Sequence, residues 1–201
     1  MDGHISKLSY NRDHPDCIKT KRLEIKPYQP RDEGAMIALL TNPTIRKTYM
    51  LPALQTAAEQ VQFFKGLLAD SSSQDHFERG IYLDGQLIGF VNDVMISDDT
   101  IELGYVIHPS HHNKGYATEM FKAVIDRQFK SGFSKVVAAA FAQNASSIRV
   151  MEKSGMKKSE HEDVVTYNGV EHRCVYYEIC SDWELPAESA AMDKPSAGIS
   201  L

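Results

Sequence analysis

Between Ile101 and Thr118 the chain reads IELGYVIHPSHHNKGYAT, and the chemistry this stretch suggests is the holding of a phosphate. Ile101–Ile107 is an apolar run of strand type, His108-Pro109-Ser110 is a turn, and a polar loop then leads through Gly115 into a strongly helical segment. The first N–H groups of a helix have no intrahelical acceptor. Beside the positive end of the helix dipole they form a ready site for an anion. Gly115 matters because a side chain there would hold the anion off the backbone, and Lys114 adds a mobile positive charge. The competing reading is an ordinary strand-to-helix turn whose glycine only eases the chain reversal. A Gly-x-x-x-x-Gly-Lys-Ser/Thr loop is absent, and so is a Gly-x-Gly-x-x-Gly fingerprint, which argues against a P-loop nucleotidase and a dinucleotide fold.

Other polar groups have plain readings of their own. Glu102 sits on an alternating strand, on the same face as Gly104 and Val106, where a solvated carboxylate is ordinary. Asn144 stands at the start of a short helical segment and is a good N-cap; Ser147, one turn on, can bond locally within that first turn. His108, His111 and His112 cluster near the loop, but no cysteine or carboxylate is spaced to complete a metal site, so no metal is expected. His76, His161 and His172 are surface or satisfied residues unless they face a cleft. Cys17, Cys174 and Cys180 are an odd count without metal spacing, as expected for reduced thiols.

With 201 residues the chain is expected to form one domain with a substantial core. A formal charge of −5 disfavours nucleic acid as the main partner and fits a basic or amine-bearing one. No apolar run approaches membrane-spanning length and the N-terminus has no signal-peptide core, so a soluble, cytoplasmic protein is expected, as monomer or homodimer.

The elements that must position these residues follow from periodicity. Residues 1–20 are polar and irregular, an expected N-terminal extension. Leu23–Lys26 alternates as a first strand, and Pro27 and Pro30 break it. Arg31–Leu40 has helical spacing, Asn42-Pro43 ends it, and a second short helix is expected over Thr44–Met50. Thr56-Ala-Ala-Glu59 is a capping box that opens a helix with Val61, Phe64, Leu67 and Leu68 on one face. Tyr49, Phe63 and Phe64 in this region serve either the core or specificity.

His76–Leu83 and Gln86–Met95 flank an Asp84-Gly85 hairpin turn, and Ile101–Ile107 returns after Asp98-Asp99. The helix after Gly115 turns Ala117, Phe121, Val124 and Ile125 to one side and meets a C-terminal glycine at Gly132. Lys135–Phe141 has the make-up of a buried strand. Ala145–Ser154 forms a helix stopped by Gly155, and Asn168-Gly169 joins strands over 164–166 and 170–179. After Trp183 the composition predicts a mobile tail over 183–201. The domain proper is expected over 21–182, an α+β layout with a mixed central sheet.

The segment HHNKGYATEMF resembles motif A of the GNAT N-acetyltransferases, whose loop reads Arg or Gln, two residues, Gly, one residue, Gly or Ala. His112 departs from that pattern. KGYATE looks like the RimJ/RimL branch, which acetylates protein N-termini and assorted small amines, and AFAQNASSIRVMEKSGM resembles the family's motif B. The resemblance covers about 21–182 and implies the GNAT fold, a mixed, mostly antiparallel sheet flanked by helices and splayed between its fourth and fifth strands. It implies acetyl-CoA as acetyl donor, held by His112, Asn113, Lys114, Gly115, Tyr116, Ala117 and Thr118 at its phosphates and by Asn144 at its pantetheine arm.

Acetyl transfer to an amine makes three demands: a base for the amine proton, fixed donors for the thioester oxygen, and help for the departing thiolate. By the resemblance, the donor is a backbone N–H near Val106 or Ile107, and Glu102 occupies the position of a catalytic glutamate found in some members. The tyrosine that many members use as acid aligns here with Met151, which has no proton to give; Ser147, a turn earlier, is the substitute, as in RimL-like enzymes. The alternative is that the thiolate departs without an acid. The implied reaction is direct attack in a ternary complex with no covalent enzyme intermediate. The acceptor expected by resemblance is a protein or peptide N-terminal amine. A small amine (antibiotic, polyamine or amino-acid analogue) is the alternative, followed by a non-catalytic acyl-CoA-binding module.

Overall fold

The computed structural model describes residues 17–181. The tail expected over 183–201, and all but the last four residues of the expected N-terminal extension, lie outside the described residues. In chain order the strands are β1 (Ile18–Lys19), β2 (Leu23–Lys26), β3 (Glu78–Leu83), β4 (Gln86–Ser97), β5 (Thr100–Ile107), β6 (Lys135–Phe141), β7 (Lys157–Tyr167) and β8 (Val170–Cys180). The helices are α1 (Glu33–Leu40), α2 (Ala57–Asp70), α3 (Tyr116–Lys130) and α4 (Ala145–Lys153). The strands form one sheet in the order β1-β2-β3-β4-β5-β6-β8-β7. Every adjacent pair is antiparallel except β5–β6, which is parallel. A parallel neighbour requires a long crossover, and α3 supplies it.

Two apolar layers hold helices to opposite faces of the sheet. On one face Met120, Phe121, Val124 and Ile125 of α3 and Met151 of α4 pack against Ile101, Leu103, Val136 and Ala138. The i, i+1, i+4, i+5 spacing of the α3 residues puts them on one stripe, which is why that segment is an amphipathic helix. It ends where the chain turns left-handed at Gly132 (φ 93°), with Phe133 N–H donating back to Gln128 O. On the other face Met36, Leu39 and Leu40 of α1 and Phe64 of α2 cover Phe90 and Val106. Burying side chains of this size contributes about 1.5–3 kcal/mol each. The capping box at α2 is formed as read from sequence: Glu59 N–H donates to Thr56 Oγ1 at 3.2 Å and Thr56 N–H to Glu59 Oε2 at 3.1 Å.

Three elements differ from their sequence patterns. The expected helix over Thr44–Met50 is a single 3₁₀ turn, Ile45–Lys47, because Asn42 Oδ1 accepts from both Thr44 and Ile45 N–H and fixes a tight turn there. Strand β7 runs over eleven residues rather than three. Lys158 pairs with Tyr177 and Glu162 with Val175, so Ser159, Glu160 and His161 together oppose Tyr176, and this bulge breaks the alternation that a sequence scan relies on. Strand β1 is two residues long, too short for any periodic signal. No helix among the described residues is long and apolar enough to cross a membrane.

Candidate active site

The sheet parts between β5 and β6. Their parallel pairing covers only Thr100–Lys135, Ile101–Val136 and Glu102–Val137, although β5 continues to Ile107 and β6 to Phe141. A cleft of about 380 Å³ occupies the gap, lined by Leu103 to Ile107, Ala139 and Ala140. It reaches the loop His111–Thr118 at one end, Thr44–Tyr49 above, and Asn144, Ser147 and Val150 of α4 on its far wall. This gap is the expected splay of the fourth and fifth strands, here β5 and β6 because β1 precedes them.

An unpaired strand edge presents N–H and C=O groups. His108 N–H donates to Ile88 O at 2.8 Å, and strand alternation then aims Val106 N–H at β4 as well. Tyr105 and Ile107 face the other way, so their N–H groups point into the gap. Of the two expected donors, Ile107 is the one on the open edge. The Ile107 carbonyl on that edge is taken by His112, whose Nε2 lies 2.8 Å away.

The loop ahead of α3 has the shape of an anion cradle. Asn113 (φ 60°) and Gly115 (φ 81°) are both left-handed, which gathers successive N–H groups toward one side. Glu119 N–H is the first in α3 to bond back, to Gly115 O at 3.0 Å, which leaves Tyr116, Ala117 and Thr118 as the donors of the helix start. Lys114 Nζ donates to Ser110 O at 3.1 Å, tying the lysine to its own loop. His111 lines the cleft with a buried Nδ1 that has no partner among the described residues. Burial, with the charge of Lys114 and then His108 beside it, pushes its pKa down, which favours the neutral ring, and its unpartnered nitrogen is open to a ligand. A phosphate-bearing, elongated ligand such as acetyl-CoA therefore fits this cleft: an anion cradle at one end, an unsatisfied polar atom beside it, and an unpaired strand edge beyond.

Sequence reasoning missed the residue that braces the loop. Arg22, at the threshold of β2, donates from Nη1 to Lys114 O at 2.9 Å and from Nε to Glu119 Oε2 at 2.7 Å. It also lies over the Tyr116 ring, 4.4 Å from its centroid. Thr20 Oγ1 and Arg22 N–H both donate to Glu119 Oε1. Burial alone would push the Glu119 pKa up, but these bonds outweigh it and hold the carboxyl below its usual range. Arg22 and Lys114 lie 92 residues apart in sequence, so no local pattern could have joined them.

On α4, Asn144 is the N-cap: its Oδ1 accepts from Ser147 N–H at 3.2 Å, and its amide N–H groups have no acceptor among the described residues. Ser147 Oγ lies 2.8 Å from the hydroxyl of Tyr105, a residue on the opposite face of β5 from Glu102. Met151, the residue aligned with the family's tyrosine, is fully buried in the core beneath α4 and takes no part in the cleft wall.

Glu102 stands at the last position of β5 that pairs with β6, half-buried, and burial pushes its pKa up while the nearby His161 opposes the shift. It does not line the cleft itself. The wall begins one residue further along the strand, at Leu103. Tyr49 packs over Gly104, where a Cβ would collide with its hydroxyl, and that hydroxyl donates to Asn92 Oδ1 at 2.8 Å. Tyr49 thus belongs to the cleft wall, whereas Phe64 is core.

Three further histidines among the described residues are partnered: His76 with Asp93, His161 against Tyr176, and His172 stacked on Phe141. Among the described residues no group of three His, Cys, Asp or Glu side chains could hold a metal ion, and the three cysteines are free thiols.

Comparison with known proteins agrees with this geometry. YnaD, an uncharacterized N-acetyltransferase of Bacillus subtilis, is 29% identical over 143 residues, 70% of this chain and 82% of that one. Among solved structures, RimL, a ribosomal alpha-N-protein acetyltransferase in complex with coenzyme A, superposes with a TM-score of 0.73 at 14% identity, over 84% of this chain and 99% of that one. The microcin C7 self-immunity acetyltransferase MccE, in complex with acetyl-CoA and AMP, gives 0.72 at 19% identity over 83% and 97%. The model of the acetyltransferase (GNAT) domain matches residues 22–157, from the arginine that braces the phosphate loop to the first residue of β7, and by that match this chain belongs to the GNAT family of acetyltransferases.

Proposed function

We propose that this acetyltransferase uses acetyl-CoA to acetylate the α-amino group at the N-terminus of a peptide or protein, as a member of the RimJ/RimL branch. The observation that carries the transfer chemistry is the unpaired edge of β5 facing a cleft that begins at an anion cradle. Acetyl-CoA supplies the activated acetyl group; the chain's own residues bind, orient and move protons.

The amides of Asn113 to Thr118 and the charge of Lys114 hold the phosphates, with His112 securing the loop to the end of β5. The free amide side of Asn144 faces the pantetheine arm. Ile107 N–H, with Val106 setting the strand's register against β4, serves the thioester oxygen. Glu102 accepts the amine proton through a water. Its raised pKa brings it closer to neutrality than a free glutamate, which suits a base. Ser147 hydrogen-bonds the sulfur as the C–S bond breaks and its electron pair stays on sulfur. The proton lost by the amine is the one the thiolate finally takes up through solvent.

The acceptor class rests on the KGYATE loop and on the fit to RimL. A small amine is the second reading, favoured by the equally good fit to MccE, a self-immunity enzyme solved with AMP. The test is CoA release from acetyl-CoA over peptides with free or blocked N-termini and over small amines. Turnover with free but not blocked peptides is expected. Turnover with small amines alone would replace the first acceptor by the second.

A further inference from the structure

Ser147 does not stand alone in the cleft wall. The Tyr105 hydroxyl lies 2.8 Å from Ser147 Oγ and 3.2 Å from the Ser147 carbonyl, reaching across from β5 to the first turn of α4. The Tyr105 ring is held against Phe121 at a centroid distance of 4.6 Å, so its hydroxyl has a fixed place. Burial pushes the Tyr105 pKa up to about 12, with the Ser147 bond working against it, so the phenol keeps its proton throughout the neutral range. A phenol has one proton to donate, and two arrangements follow. If Tyr105 donates to the Ser147 carbonyl, the serine proton turns back onto the phenol oxygen and none is left for the cleft. If Tyr105 donates to Ser147 Oγ, the shorter contact, the serine proton is free to point into the cleft between the strands. The serine backbone N–H is already engaged by Asn144, so the hydroxyl is the only part of Ser147 left to set.

We propose that Tyr105 is a positioning residue for acetyl transfer: its hydroxyl donates to Ser147 Oγ and aims the serine O–H at the departing sulfur. This rests on the reading of Ser147 as the group that meets the sulfur. No proton leaves Tyr105 in the step. The C–S bond breaks, its electron pair remains on sulfur, and Ser147 keeps its proton while hydrogen-bonding the thiolate. Tyr105 lies on the opposite face of β5 from Glu102, so proton removal from the amine and support of the sulfur approach the gap from opposite sides of the sheet.

The experiment is a double-mutant cycle on the full chain with Tyr105→Phe, Ser147→Ala and the pair. Steady-state kinetics use acetyl-CoA with an active acceptor, and also hydroxylamine, a small nucleophile that needs no acceptor pocket. Tyr105→Phe keeps the ring against Phe121, and a thermal melt of each variant checks the fold. The expected result is a fall in kcat of about tenfold for either single variant, with the KM for acetyl-CoA unchanged, and a double variant no slower than Ser147→Ala, because coupled groups are non-additive. A third variant, Ser147→Thr, retains a hydroxyl and is expected to remain sensitive to Tyr105→Phe. A loss in Ser147→Ala with none in Tyr105→Phe would overturn the positioning role and leave Ser147 in place. Multiplying losses in the double variant would overturn it too, since Tyr105 would then act independently. Full kcat in Ser147→Ala would remove the serine reading and the Tyr105 role with it.

Discussion

Glu102 and Glu78 are two carboxyls whose pKa burial pushes up, with different consequences. Glu102 sits where β5 and β6 part, with its pKa pushed up mainly by burial. A base works deprotonated, so the rate should rise with pH through a limb lying above the ordinary glutamate range. Glu102→Gln should lower kcat by about 10²–10³ and erase that limb, and equal rates for the two proteins at every pH would take Glu102 out of the mechanism. Glu78 lies on β3 and does not line the cleft; it is buried and bonded by the Tyr28 hydroxyl. Burial pushes its pKa up and Tyr28 pulls it back; with Asp93 and Asp70 raising it and Arg79 lowering it, it stands at about 8. An acid whose folded pKa exceeds its unfolded one makes the native state bind more protons, so the contribution of Glu78 to stability is fully present below about 4.5 and is lost as pH rises toward 8. Glu78 should therefore cost on the order of 1 kcal/mol per pH unit across that window. Thermal midpoints between pH 5 and 8 should fall for the wild type and flatten for Glu78→Gln; parallel slopes would place the ionised form elsewhere.

The loop–helix junction carries the next prediction, because its shape depends on a conformation and a brace. Gly115 is left-handed, and a Cβ there would meet Arg22 Nη2 at 3.4 Å. Gly115→Ala should cost about 1–2 kcal/mol in backbone strain and raise the KM for acetyl-CoA about tenfold with little change in kcat. Arg22→Ala should move KM in the same direction by freeing the Lys114 carbonyl. Isothermal titration with CoA would measure both, and unaltered affinity in the two variants would mean that the loop keeps its shape without them.

At this same scale, what the sequence makes legible is local. Asp84-Gly85 and Asn168-Gly169 are turns because their backbones must be left-handed, and both pairs are. The Thr56–Glu59 box and the stripe of α3 are spacings within a few residues of each other. The Arg22 brace, the Tyr105–Ser147 contact and the long bulged β7 depend on partners 92, 42 and about fifteen residues away, and nothing in a window of ten residues encodes them. Tyr105 in particular looks like one more apolar strand residue until α4 is laid beside it.

The whole molecule is two slabs of sheet, β1 to β5 and β6 to β8, sharing three parallel residue pairs. A ligand that binds the folded form alone stabilises it by about 2.7 kcal/mol at a hundredfold excess over Kd. The CoA site proposed above would put that gain on the seam. Amide exchange at Tyr105 and Ile107, on the open edge, should slow when CoA is added, while Val106, already tied to β4, should change little. Uniform slowing of all three would mean that CoA does not lie along that edge. The acetyl donor then acts as a keystone as well as a reagent. The CoA left by each turnover still spans the seam, so the arch is at its weakest only while the cleft is empty. How long the chain withstands a protease should accordingly track the acetyl-CoA and CoA around it together.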